Sequence, residues 1–403
     1  MTVFRPTDAA EVREAVAWAM AGKQSLDISG GGSKRNLGRP ASAAHSLDVG
    51  ALSGVIDYDP AELVLTAKAA TPMAQIQALL DAQRQTLAFE PPDWRALWGS
   101  NAEPTLGGIV ACNMAGPRRV KAGSARDHFL GFSAVNGFGE AWKAGGRVVK
   151  NVTGYDMCKL QAGAFGTLSV LLELTLRVTP RPETSCTLVL RGLDDQAAIE
   201  ALASALNAPH EVTAAAHLPA AAAGRSSIAG VAGSATIVRL EGHSPSVDYR
   251  AGALAATFSP AIRLDAALSA RLWSEIGSVQ PLLASRDAPL WRICCAPSAA
   301  PAVLAQIQSR LVATEAFYDW GGGLLWLSLD AAQVSVDCGA ATIRAAFAAT
   351  GGHATLIRAP DAVRAATPVF EPRYGGLEAL SRRVKTGFDP QGVLNPGRMQ
   401  EGV

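Results

Sequence analysis

The stretch Asp27-Ile28-Ser29-Gly30-Gly31-Gly32-Ser33-Lys34-Arg35-Asn36 constrains this chain more than any other. Three consecutive glycines after a short apolar piece leave a backbone without side chains, free to take positive φ and open to close approach by an anion. Successive N–H groups in such a turn can point into one concavity, while Ser33, Lys34 and Arg35 add donors and positive charge, so phosphate or pyrophosphate is the natural guest. A flexible surface turn would also suit a glycine triplet taken alone. The two standard nucleotide loops do not fit. The dinucleotide fingerprint needs a glycine where Arg35 stands and a helix afterwards, whereas Leu37-Gly38-Arg39-Pro40 breaks one. The Walker pattern ends in Gly-Lys-Ser/Thr, and here Lys34 lies between Ser33 and Arg35.

Two more glycine-rich clusters follow. Thr105-Leu106-Gly107-Gly108-Ile109-Val110-Ala111-Cys112-Asn113-Met114-Ala115-Gly116 reads as a helix start whose bare glycines would let a flat or phosphorylated ligand touch the backbone; close helix packing is the other reading. Gly145-Gly146-Arg147-Val148-Val149-Lys150-Asn151-Val152-Thr153-Gly154-Tyr155-Asp156 and the loop Gly163-Ala164-Phe165-Gly166 form the third. Three donor-rich loops within one unit of ~180 residues suggest an extended ligand such as a dinucleotide cofactor.

Around these loops the periodicity is plain. Asp8 caps a helix with Val12, Ala15, Val16 and Ala19 on one face, Glu11 placed for a capping box and Gly22 as the stop. Thr71-Pro72 starts a second helix carrying Met73, Ile76, Leu79 and Leu80, with Thr as the cap and Pro at the first position, and residues 86–89 read as a strand. Thr179-Pro180-Arg181-Pro182 is a stiff linker and the first boundary. Beyond it, strand–helix–strand passages predict an α+β unit with an antiparallel sheet and helices on one face. The expected division is residues 1–180, 181–365 and a turn-rich segment 366–403, which frays unless it docks.

At 403 residues, 49% of them apolar, the chain is long enough for two or three cores. Its 36 basic and 35 acidic residues leave a formal charge of +1 and no basic run, which excludes an electrostatic nucleic-acid or membrane binder. The six cysteines form no CxxC pair and the six histidines no HxxxH, so neither a disulfide framework nor a sequence-local zinc site is expected, and a reducing, cytoplasmic compartment fits. Residues 1–8 show no charged start leading into an apolar core, and the apolar run 168–176 contains Glu173 and is too short for a bilayer; a soluble chain is expected, touching membrane only through partners.

The order of these clusters resembles the FAD-binding domain of the vanillyl-alcohol oxidase and p-cresol methylhydroxylase (PCMH/VAO) flavoproteins. Arg118-Arg119-Val120-Lys121-Ala122-Gly123-Ser124-Ala125-Arg126-Asp127-His128 and Lys150-Asn151-Val152-Thr153-Gly154-Tyr155-Asp156 are similar to blocks of its D-lactate dehydrogenase and glycolate oxidase branch. Phe388-Asp389-Pro390 to Asn395-Pro396-Gly397-Arg398 resembles the terminal segment that returns to the FAD domain. The resemblance covers about residues 1–180 and 370–403 well and the middle in outline. It implies a two-part FAD-binding domain with an α+β cap. It implies that Gly30, Gly31, Gly32, Ser33 and Lys34 wrap the pyrophosphate and that Pro92, Asp93, Thr105, Gly107 and Gly108 border the flavin, with Asn113 and Gly116 nearby. Ser124 and Asp127 would make further contacts, and Val152 with the loop from Gly163 to Gly166 would sit towards the adenosine.

Within the branch the chain is most similar to FAD-binding subunits of glycolate oxidase. That similarity implies oxidation of glycolate to glyoxylate in a complex with a larger catalytic flavin subunit and an iron–sulfur subunit, this chain's flavin being a secondary redox centre or a structural element. An autonomous FAD-dependent 2-hydroxy acid or alcohol oxidoreductase and a flavin-free assembly scaffold are the rival readings. Some relatives tether FAD through a histidine in the first glycine loop; Gly32-Ser33-Lys34 has none, so non-covalent FAD is expected. Catalytic relatives carry a His-x-x-His and a Gly-Asp-Gly-Asn segment in the cap, where this chain has Trp320-Gly321-Gly322-Gly323-Leu324. No general base or metal site is therefore visible. Arg292, Arg358 and Arg373 could each bind a carboxylate.

Overall fold

The structure, a computed structural model, describes residues 2–148, 154–228, 233–311, 314–332 and 335–401. The chain begins with a small parallel sheet in the order Val3–Phe4, His45–Asp48, Leu26–Ser29. The helix Ala9–Ala21 covers it with Val12, Ala15, Val16 and Ala19, the apolar face its spacing predicts. Asp8 caps this helix by accepting from the Glu11 amide at 2.9 Å. Glu11 itself reaches back to the Thr7 amide at 2.7 Å rather than to Asp8, so the box closes one residue early.

Next comes a five-stranded antiparallel sheet in the order Val55–Asp59, Val64–Lys68, Ser169–Arg177, Phe129–Asn136, Ala141–Gly145. The helix Met73–Ala82 lies on it through Met73, Ile76 and Leu80. Pro72, not Thr71, takes the cap position, because the Thr71 hydroxyl is held by the carbonyls of Lys68 (2.7 Å) and Gly54 (3.1 Å). The strand expected at 86–89 is only Gln85–Thr86, paired with Thr179–Pro180; Leu87, Ala88 and Phe89 leave the sheet to enter the core.

Residues 184–358 build an eight-stranded antiparallel sheet in the order Ala261–Leu264, Thr184–Arg191, Ala235–Gly242, Ala214–Leu218, Glu315–Asp319, Leu324–Ser328, Leu290–Cys294, His353–Arg358. Because side chains alternate across a strand, Trp291, Ile293, Leu325 and Leu327 meet the helices Asp195–Asn207, Ser244–Thr257, Ala300–Gln308 and Ala340–Ala346 on one face. Leu290, Leu324, Trp326 and Ile357 point the other way, into the core shared with the N-terminal unit. The helix Ala266–Gly277 packs on this second face through Leu272, Trp273 and Ile276.

Indoles and guanidinia sew the two units together. Trp94 meets Trp98 and Trp326 edge-on at 5.7 and 5.6 Å between ring centres, and its N–H donates to Gly277 O at 3.0 Å. Arg239 of the large sheet grips Glu90 with two hydrogen bonds of 2.9 and 2.8 Å, and Arg118 meets Glu241 at 3.2 Å. Such paired, hydrogen-bonded charges are the form in which ions tolerate burial.

Asp319 lies at the edge of this network, capping the turn Trp320–Gly322 through the Trp320 amide at 2.7 Å. Burial pushes its carboxyl up to about 7, against the pull of that amide and of Arg239. A folded-state pKa above the unfolded value means stability that is present below the unfolded pKa and lost as pH rises through the folded one. Asp319→Asn keeps the cap and removes the titration. Its melting temperature relative to wild type is therefore expected to rise between about pH 4 and pH 7, measured by thermal melts across that range. A pH-independent difference would contradict a protonating Asp319.

Candidate functional site

The triple-glycine loop opens into a cleft between the parallel sheet and the five-stranded sheet. Strand Leu26–Ser29 delivers the chain to its mouth, and Gly32 turns it with φ +79°. Arg35 bends back under the turn, donating to Ser29 Oγ at 2.9 Å and pairing with Asp27 at 3.4 Å. The backbone N–H groups of Gly30, Gly31, Gly32, Ser33 and Lys34 have no acceptor among the described residues. Five adjacent free amides beside an ammonium are a ready anion cradle. Burial lowers the Lys34 pKa, with Cys112 and Asp93 pulling the other way.

Gly31 is placed where no side chain fits, since a Cβ there would run into the Glu103 carbonyl oxygen. Opposite the loop, Thr105 caps the helix Leu106–Ala111 by accepting from the Gly108 amide at 3.3 Å. The first amides of this helix are already spoken for: Leu106 donates to Thr71 O and Gly107 to Ala69 O, at 3.0 and 2.7 Å. These two helix-terminal amides are thus committed inside the protein. Gly107 permits close packing, for a Cβ there would lie 2.8 Å from Ala69 O, whereas one on Gly108 would face Lys34 Nζ at 3.7 Å.

The far wall comes from the other end of the chain. The Ile28 amide donates to Asn395 Oδ1 at 2.7 Å, and Asn395 Nδ2 to Phe165 O at 2.8 Å. Arg398 donates to the carbonyls of Lys34 and Arg35 at 3.0 and 2.9 Å. Buried Lys385 binds Thr167 O, Leu394 O and Asp389, whose carboxylate also takes the Val393 and Leu394 amides. The segment expected to fray unless docked is docked.

Of the residues singled out in the sequence, Gly30, Gly31, Gly32, Ser33, Lys34, Thr105, Gly107, Gly108 and Gly166 line this one cleft. The others stand elsewhere in the structure. Pro92 and Asp93 border a separate groove beside Arg239 and Glu241, and Asp93 is bound by Arg95 at 2.6 Å. Ser124 and Asp127 are occupied with each other as the capping box of the turn Ala125–His128, where hydrogen bonds to Ser124 outweigh burial and lower the Asp127 pKa. Asn113 accepts from the Arg126 amide at 3.0 Å, and Gly163 packs against its Cβ. Gly116 lets the backbone pass the Glu90 carbonyl. Val152 lies outside the described residues. Arg35, read from the sequence as adding charge to the loop, also lines the cleft, whereas Cys112, Phe165, Asn395 and Arg398 line it without having been given a role there. The quoted block from Asn395 to Arg398 was the available signal for the last two.

Gly31→Ala is expected to weaken FAD retention at least tenfold, because the loop must move off Glu103 to admit the methyl group and the amides move with it. Flavin content after dialysis measures this, with Gly252→Ala, where an added Cβ meets nothing within 4 Å, as the unaffected control.

The model of the FAD binding domain family matches residues 2–145. Among solved structures, p-cresol methylhydroxylase with substrate bound superposes with a TM-score of 0.71 at 13% identity, covering 99% of this chain and 88% of that one. Alkyldihydroxyacetonephosphate synthase gives 0.69 at 15% identity, covering 98% of this chain and 76% of that one. At these identities the likeness is one of fold, the PCMH/VAO-type FAD-binding fold with a large antiparallel cap sheet. Glycolate oxidase subunit GlcE of Escherichia coli strain K12 is 34% identical over 386 residues, 96% of this chain and 95% of that protein. The chain belongs to the glycolate oxidase subunit GlcE family, carried on a PCMH/VAO-type FAD-binding fold.

Proposed function

We propose that this chain is the FAD-binding subunit of a glycolate oxidase complex that oxidises glycolate to glyoxylate, acting as an accessory flavin centre beside a larger catalytic flavin subunit and an iron–sulfur subunit. The observation that carries the reading is the match to subunit GlcE along 96% of the chain. In this reading residues 1–180 and 366–403 form the FAD-binding part and 181–365 the cap. The free amides from Gly30 to Lys34, with the Lys34 ammonium, fit a pyrophosphate, and the bare backbone at Gly107 and Gly108 fits a flat group laid against it. Bound FAD would supply two-electron acceptance from a donor and one-electron delivery onward.

The residues around the cleft favour an accessory role. Among the described residues its lining holds no histidine, and the one carboxylate there, Asp27, is engaged by Arg35. Asp27 therefore makes a poor base for a substrate hydroxyl. Among the described residues no group of three or more His, Cys, Asp or Glu side chains is placed to hold a metal ion, and no helix is long and apolar enough to cross a membrane. Attachment of FAD is read as non-covalent because Ser33 stands in the loop where tethering relatives have a histidine.

Two measurements test this. Acid precipitation should leave a yellow supernatant; a yellow pellet would mean a covalent link, and a colourless protein that takes up no FAD would favour a scaffold. Under anaerobic conditions glycolate alone should leave the flavin band of the isolated chain unbleached, and bleaching should appear once the larger flavin subunit and the iron–sulfur subunit are added. Rapid turnover by the isolated chain would overturn the accessory role in favour of an autonomous oxidoreductase.

A further inference from the structure

Of the three arginines that could bind a carboxylate, Arg358 spends its guanidinium on the carbonyls of Ala288, Leu97 and Ser285, at 2.9, 3.0 and 2.9 Å. Arg292 keeps its Nε buried without a hydrogen-bond acceptor. Arg373 differs from both. It is exposed and donates to Ser381 Oγ, in a segment where Tyr374, Leu377 and Leu380 are 77, 66 and 54% exposed. Single exposed apolar side chains are ordinary, whereas several along one short segment form a candidate interaction face.

The helix Gly376–Phe388 accounts for the patch. Leu377, Leu380, Val384 and Phe388 recur at spacings of three and four, which sets them along one side of the helix. The C-terminal half of this stripe is covered. Phe388 packs on Trp142 with ring centres 5.5 Å apart, Val384 is half-buried, and Lys385 is sunk onto the carbonyls of Thr167 and Leu394. The N-terminal half is bare. Leu377 and Leu380 carry the same stripe on into solvent, with Tyr374 just ahead of them where the chain enters the helix. An amphipathic helix covered at one end only has an apolar side that another surface can complete.

Charge and position narrow what that surface can be. Arg373 is drawn onto Ser381, about one turn along from Leu377, and Arg383 lies about one turn along from Leu380. Neither has an ion pair among the described residues, whereas Arg382 takes up Glu378, the one acid of the helix, at 3.0 Å. The patch is thus edged by two cations without a carboxylate. Pairing it with its own copy would set these arginines against each other, which disfavours a dimer through this face. A partner with carboxylates around an apolar contact fits, and tyrosine and arginine are side chains enriched where protein interfaces are tightest. The helix also backs on the cofactor cleft. Thr167 and Leu394, which hold Lys385, adjoin Gly166 and Asn395 in the cleft lining, and Phe370 packs on Phe165 of that lining with ring centres 5.0 Å apart.

We propose that Tyr374, Leu377 and Leu380, flanked by Arg373 and Arg383, form the docking face for another protein subunit, one whose apolar contact surface is edged by carboxylates. Naming that subunit rests on the reading of the chain as part of a glycolate oxidase complex. Within that reading the occupant is the iron–sulfur subunit, because a subunit that takes electrons from a flavin must come close to the wall of the flavin's cleft, and this face adjoins that wall.

The test is pairwise binding of the full chain to the separately purified iron–sulfur subunit and larger flavin subunit, with sedimentation of the chain alone. Saturable binding to the iron–sulfur subunit is expected, weakening as salt is raised. It should fall at least tenfold in the double variant Leu377→Ser, Leu380→Ser and in the double variant Arg373→Glu, Arg383→Glu. Tyr249→Ser, at an aromatic 76% exposed on the helix Ser244–Thr257, should bind like wild type. Because the substituted side chains are exposed, both double variants should keep the flavin content of wild type, which separates lost docking from lost fold. Double variants that bind as well as wild type would overturn the docking face and leave the subunit reading standing. So would contact with the larger flavin subunit through these side chains, a dimer of the chain alone that the leucine variant breaks, or flotation with phosphatidylglycerol vesicles that the same variant abolishes. A wild-type chain that binds neither subunit would overturn the subunit reading and this occupant together. A colourless chain that still docks through both leucines supports the face and removes only the flavin reading.

Discussion

The shape of the glycine loop depends on a strip of chain more than 360 residues away. Asn395 takes the Ile28 amide, and Arg398 takes the carbonyls of Lys34 and Arg35. Glycine-rich backbone has the most conformational freedom to lose, so a loop of three glycines presents its amides in one direction only if something outside it removes the alternatives. The outside agent is itself fixed by one buried ion pair. Lys385 and Asp389 satisfy each other at 2.6 Å and use their remaining hydrogen-bonding capacity on backbone groups of residues 167, 393 and 394. Val393 and Leu394 then join the core of the first helix and parallel sheet.

Charge is handled in two ways along the boundary between the N-terminal unit and the large sheet. Near Glu90 every cation has a partner, and the fork of Arg239 on Glu90 acts as a structural rivet. Near Trp320 the guanidinium of Arg119 rests instead on an indole ring, 4.5 Å from its centre. The turn Trp320–Gly322 joins the two regimes, since Asp319 lies within the influence of Arg239 while the next residue stacks under Arg119. A single turn thus joins the ion-paired part of the boundary to the part where a guanidinium rests on an indole.

Much of this was legible in the sequence. The glycine triplet, the Asp8 helix cap and the antiparallel sheet beyond the Thr179-Pro180-Arg181-Pro182 linker follow from local chemistry and spacing, while the return of the last segment was implied by the family resemblance. Less legible was anything decided by partners distant in sequence. The amides of Leu106 and Gly107 look free in a local reading, and are silenced by carbonyls of Thr71 and Ala69. Ser124 and Asp127, given as cofactor contacts by the resemblance alone, form a local capping box with each other. Arg119 is unremarkable as an isolated residue; its place over the Trp320 ring comes from a short helix and a turn of the large sheet brought together, which no local pattern records.

The docking of residues 389–398 on strand Leu26–Ser29 also bears on the order in which the molecule can be built. Closing a loop that long costs conformational entropy before any contact repays it, and chains dominated by such distant pairings fold slowly. The helix Ala9–Ala21 and the hairpin of strands Val55–Asp59 and Val64–Lys68 can form from neighbouring residues, whereas the anion cradle acquires its walls only when both ends of the described chain have met. The cradle is therefore among the last features to mature, and a cofactor present at that moment would select the closed form over the many open ones.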